Sequence, residues 1–134
     1  MKQWIPSDKV KNLVLRGDPI KGFSVLELWD KSTFYNGGKN HGMGGITYKR
    51  NRVTFSDILI RSDNAARQAS IIYHELVHVA QQLDWGWWRF MFKYLDQWRR
   101  AGFNYSNMRR SSIEGEAYKL QERFNRKVLN YEYL

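Results

Sequence analysis

His74, Glu75 and His78 form the run HELVH inside the longer stretch SIIYHELVHVAQQLDWGWW. On an α-helix, residues four apart share a face, so two imidazoles can be presented to one ion. Zinc accepts such nitrogens in a tetrahedral set, and catalytic zinc sites keep one position open for water. Glu75 follows His74 directly, about 100° around the helix. It is poorly placed to join the same ligand set but well placed to reach a water in the open position. A carboxylate there works as a general base, while the metal lowers the pKa of the water to about 7. The competing reading is a core helix with two structural histidines. The chain has 3 histidines and two of them fall in this pattern, among Ile71, Ile72, Leu76, Val77 and Val79. Burying that much polarity requires partners, and a metal supplies them.

The chain has 0 cysteines, so any third ligand is His, Asp or Glu. No histidine follows His78. His41 lies upstream in YNGGKNHGMGG, a glycine-rich loop that would hold a ligand loosely and that lacks both nucleotide-binding glycine patterns. A set of two histidines and one glutamate is a known zinc arrangement. Downstream, SSIEGEAYKLQERF offers Glu114, Glu116 and Glu122. Ser111 and Glu114 stand at capping-box spacing, which gives Glu114 a local task at a helix start. Glu116 faces a different direction and precedes Ala117, whose small side chain allows close helix packing. Glu116 is therefore the expected third ligand, ahead of Glu114 and His41.

HELVHVAQQ, then an aromatic-rich helical segment, then EGEAY at residues 114–118, resembles minimal gluzincin-type HExxH zinc metallopeptidase domains. These are small bacterial and phage zincins, distantly similar to the ImmA/IrrE-like peptidases. The resemblance covers residues 44–124, since GITYKRNRVTFSD is similar to the strand pair that precedes the metal helix in such domains. It implies a zincin-like fold, zinc as cofactor, peptide-bond hydrolysis, Glu116 as ligand and Glu75 as catalytic base. Two family features are missing. MRRSS replaces the proline found before the final E-x-E-A, and Lys119 and Leu120 stand where some gluzincins carry an aspartate. Support for the metal ligands must then come from elsewhere; Gln82, one turn beyond His78, is a candidate.

The elements that must position these groups follow from patterning. Before Ser62 the chain has short apolar runs divided by Gly, Asn and Asp. FSVLELWD, residues 23–30, alternates as a strand does, and GITYKRNRVTFS, residues 45–56, reads as a hairpin turning at Lys49, Arg50 and Asn51. DILIRS either extends that sheet or leads out of it. After Ser62 the period is helical. One helix is expected from Ser62 or Asp63 to about Asp84. A second covers WWRFMFKYLDQWRRAG, stopping at Gly102. A third starts at Ser111 and runs to about Leu129. The expected class is α+β: a small N-terminal antiparallel sheet or hairpin followed by three helices.

In the second helix Trp88, Phe92, Leu95 and Arg99 fall on one stripe. Packing is the favoured reading, against a substrate wall or an amphipathic contact with a membrane or partner. Tyr105, Tyr118 and His41 are candidates to stabilise an oxyanion. The hairpin around Thr47 and Tyr48 could pair with an extended peptide.

The 134 residues suit one domain spanning 1–134, and 16% aromatics exclude a disordered chain. No apolar run approaches the roughly 20 residues of a membrane span, and the N-terminus lacks a signal-peptide pattern. A cytoplasmic location is expected, with release by a non-classical or phage route left open. The formal charge of +9 favours acidic partners. It comes without any nucleic-acid-binding motif, so nucleic acid ranks below a peptide or protein substrate. The alternative to a peptidase is a binding module in which zinc is structural and the basic surface meets an acidic partner or nucleic acid.

Overall fold

Side-chain caps start most of the helices. Ser7, Ser24, Ser56, Asn64 and Ser111 each accept a hydrogen bond from the backbone N–H three residues on, which satisfies a donor that the first helical turn leaves orphaned. The computed structural model describes residues 2–42 and 44–130. In chain order these form β1 (Lys2–Gln3), α1 (Asp8–Leu15), α2 (Val25–Lys31), β2 (Thr33–Asn36), β3 (Gly45–Tyr48), a 3-10 turn (Lys49–Asn51) and β4 (Arg52–Phe55). There follow α3 (Asp57–Ile60), α4 (Ala65–Trp85), α5 (Trp87–Arg100), α6 (Tyr105–Met108), α7 (Ser112–Phe124) and a closing π turn (Asn125–Leu129).

The class is α+β with the sheet at the N-terminal end. The sheet has the order β1-β2-β4-β3. The expected hairpin is present, with Ile46 opposite Thr54 and Thr47 opposite Val53. Its turn places Arg50 and Asn51 in left-handed backbone. The sheet is mixed, not antiparallel throughout, because β2 pairs with β4 in parallel.

Residues 23–30 are not a strand. Ser24 caps the Glu27 N–H, and Val25 and Leu28, three apart, are the buried positions of helix α2. The S-x-x-E spacing of Ser24 and Glu27 is a helix-start signal that overrides four or five alternating residues. DILIRS likewise leads out of the sheet: Ser56 caps α3.

α4 is the central element. It packs on α7, α1, α5, β3 and α2, and Ile72, Leu76, Val77, Val79 and Ala80 are fully enclosed. A helix with neighbours on every side is buried all round, so its polar residues between the exposed Arg67 and Asp84 are buried too: Gln68, Ser70, His74, Glu75, His78, Gln81 and Gln82. Gly86, with φ 81°, separates α4 from α5. On α5 the packing expectation fails for the stripe that was singled out. The helix buries Phe90, while Trp88, Phe92 and Leu95 are exposed.

Candidate metal centre

α4 and α7 bring His74, His78 and Glu114 together, with one ligand atom from each lying within 4.8 Å of the others. Glu114 Oε1 is 3.5 Å from His74 Nε2 and in direct contact with His78 Nε2. All three side chains are buried.

The partners of the ring nitrogens define which side of each imidazole is free. His74 Nδ1 meets Gln121 Oε1 at 2.8 Å, and His78 Nδ1 meets Gln81 Oε1 at 2.8 Å. Each glutamine has its amide NH₂ committed elsewhere. Gln121 donates to Ser70 Oγ, which donates to Asn125 Oδ1; Gln81 donates to the Ile113 carbonyl and to Glu116 Oε1. The carbonyl ends therefore accept, both Nδ1 atoms carry hydrogen, and in the neutral tautomer both Nε2 atoms present lone pairs to the cluster.

Two such lone pairs and a carboxylate converge among buried side chains, and buried Glu114 Oε1 makes no well-directed hydrogen bond. Three acceptors without a donor are costly. A divalent cation, or a proton on one imidazole, resolves the arrangement. The donor set of two nitrogens and one carboxylate oxygen, each imidazole held through Nδ1, fits zinc.

The electrostatics agree with the geometry. Burial alone would lower the pKa of His78, but contact with the Glu114 carboxylate, helped by the Glu75 charge, outweighs it and raises the value to about 9. Burial alone would raise Glu114, yet the two imidazoles hold its carboxyl well below the usual carboxylate range. Burial, then hydrogen bonds to Tyr118 and Glu114, push the Tyr105 phenol far up, which keeps it a donor.

Glu75 stands beside the cluster. Its Oε1 accepts a 2.9 Å hydrogen bond from Thr47 Oγ1, and its Oε2 is 3.9 Å from His74 Nε2. β3 can come this close to α4 because residue 45 is glycine: a Cβ there would lie 2.8 Å from Glu75 Cγ. The Tyr105 hydroxyl donates to the second Glu114 oxygen at 2.8 Å and lies 3.1 Å from the Tyr118 hydroxyl. The Tyr118 ring packs edge-on to His74.

Two clefts reach the cluster and share Gly45, Glu75 and Tyr105. One, of about 330 Å³, runs between β3 and α5 and is walled by Ile46, Trp87, Phe90 and Tyr94. The other, of about 530 Å³, reaches His74 past Ile71, Trp98 and Tyr118.

The expected ligand Glu116 is not in the cluster; Glu114 is. Two residues along a helix is about 200° of rotation, so only one of the pair can face α4's histidines. Glu116 instead accepts from Gln81 at 3.0 Å and pairs with Lys21 at 3.3 Å. Its side chain is 35% exposed, against 3% for Glu114. Only half of the capping box forms. Ser111 Oγ accepts from the Glu114 N–H, but the Ser111 N–H bonds to the Met108 carbonyl, leaving the Glu114 carboxylate free to turn inward. His41 bonds to Thr54 Oγ1, outside the cluster. Gln82 does not support His78; its neighbour Gln81 does, three residues on and on the same face. Gln121 had no local signal, since only the docking of α7 on α4 brings it to His74.

No family model matches the chain, and no curated protein or solved structure matches it either.

Proposed function

We propose that the protein is a zinc-dependent metallopeptidase in which His74, His78 and Glu114 hold the metal and Glu75 is the general base. The convergence of three buried acceptors beside an independently held carboxylate carries this reading. Zinc bound there supplies a Lewis acid and an acidified water. The chain's own residues do the rest. Thr47 fixes one Glu75 oxygen, which leaves the other directed toward the cluster as proton acceptor. Tyr105 lines both clefts, and its hydroxyl, now donated to Glu114, would serve an oxyanion on turning from that carboxylate. Peptide is the favoured substrate because β3 is the sheet's edge strand and lines a cleft ending at Glu75; an extended chain can pair with such an edge.

The test is metal analysis of the purified protein together with hydrolysis of a broad peptide library by wild type and Glu75→Gln. The reading expects about one zinc per chain in both proteins, with activity reduced by about 10²–10⁴-fold in the variant. Absence of zinc from the wild type would end it. Zinc in both with no hydrolysis by either would favour a binding module with a structural metal.

A further inference from the structure

The metal centre does not use the unburied stripe on α5. Trp88, Phe92 and Leu95 recur at helical spacing and are 66%, 69% and 51% exposed. Phe103, 63% exposed, packs edge-on against Trp98 and extends the apolar surface past the helix end. Aromatic side chains exposed together in this way mark an interaction surface.

Cations surround the stripe. α5 carries Arg89, Lys93, Arg99 and Arg100, all exposed, against the single acid Asp96. Arg99 and Arg100 both pair with that acid. From the sheet side, Lys49 lies 5.3 Å over the Trp88 ring, with exposed Arg50 next to it in the same turn. The whole chain is at +9.

We infer that α5 is an interfacial anchor that docks the protein on an anionic lipid surface, its aromatic stripe entering the headgroup region and its cations meeting lipid phosphates. An apolar helix face carrying exposed Trp88 and Phe92 and flanked by Lys and Arg has the composition of a helix that lies in a bilayer interface. No helix among the described residues is long and apolar enough to cross a membrane, so α5 lies on the surface and does not span. A second copy of the chain is the poorer occupant. Isologous pairing of this face would set its cationic rim against the same cationic rim. Leu95 belongs both to the stripe and to the wall of the cleft that reaches Glu75, so a docked surface lies beside the metal centre.

The test is cosedimentation of the full chain with vesicles of phosphatidylcholine alone and of phosphatidylcholine with about one-third phosphatidylglycerol. Binding to the anionic vesicles only is expected, weakened by salt. Phe92→Glu should weaken it by about tenfold or more, and Arg89→Gln with Lys93→Gln should do the same. Both variants should keep the wild-type circular dichroism, since each altered side chain is exposed; Phe92→Ser repeats the apolar loss without adding charge. Failure of the wild type to bind anionic vesicles overturns the inference. So does binding that Phe92→Glu and Phe92→Ser leave unchanged, which would be electrostatic adhesion alone. A dimer that Phe92→Glu dissociates, with no vesicle binding, would overturn it in favour of a subunit contact.

Discussion

The α4–α7 interface and the outer face of α5 invert the usual distribution of side chains in opposite senses. In the first, polar groups are buried: His74, His78, Glu75, Glu114 and Gln81 share the interior with Leu76, Val77 and Ala117. In the second, large apolar groups are exposed. Buried polarity and exposed apolar surface are the informative departures from the hydrophobic rule. At α4–α7 every imidazole Nδ1 has its partner, and the two Nε2 atoms and Glu114 Oε1 that converge are compatible with a metal ion or with a proton held on His78. At α5 what is lacking is a covering surface. Hydrogen-bond partners, not composition, separate an organised site from a packing defect. The interior cluster is organised down to its outer amides, whereas α5 is organised only on the side of Phe90.

The contrast can be broken at several points. The largest effect should come from Glu114→Ala. Removal of a ligand should reduce zinc affinity well beyond the roughly 10–100-fold typical of outer partners, measured by competition with a chromophoric chelator. Glu116→Ala should stay within that outer range, and a greater loss with Glu116→Ala than with Glu114→Ala would reverse the ligand assignment.

Next in size is Phe90→Ala. Phe90 is the buried residue of α5 and packs near His78, Trp85, Trp87 and Tyr94. Its truncation should cost about 3–5 kcal/mol in denaturant unfolding.

Gln121→Leu and Gln81→Leu should each reduce zinc affinity by about 10–100-fold while the fold persists, because each removes the acceptor that holds an imidazole Nδ1–H.

The pH dependence follows from His78. Its pKa in the metal-free protein is raised from 6.5 to about 9, so the stabilisation from its charged contact with Glu114 is fully present below 6.5 and is lost as pH rises through about 9. Metal needs the same nitrogen without its proton. Zinc affinity should therefore rise with pH by about tenfold per unit until that range is passed. Calorimetry in buffers of different ionisation enthalpy should show about one proton released per zinc near pH 7. No proton release would remove His78 as a ligand.

The smallest effect belongs to the exposed stripe. Phe92→Ser should change unfolding free energy in the absence of lipid by no more than about 0.5 kcal/mol, and a loss as large as that of Phe90→Ala would mean that Phe92 is packed.

Helices α4, α5 and α7 were legible because each combines a period with a boundary signal, whereas α6, four residues long, is too short to show a period. Ser111 caps α7 and the turn at Gly102 ends the α5 region. The N-terminal region was less so. β1 and β2 are two and four residues long, too short for alternation to register, and β2 is a strand only because it lies beside β4. Ser24 and Glu27 carried a readable helix signal that alternation obscured.

Local spacing by itself determined the α+β class, the hairpin, the shared face of His74 and His78, and the place of Glu75 beside them. A helix is a rigid ruler, and four residues along it mean the same thing in any fold. The third acceptor, the two glutamine supports and the separation of buried Phe90 from exposed Phe92 were decided only in the tertiary structure. Ser111 can cap α7 with Glu114 turned either toward its own helix end or toward α4. The choice depends on where α7 docks, which is set by packing across segments far apart in the chain.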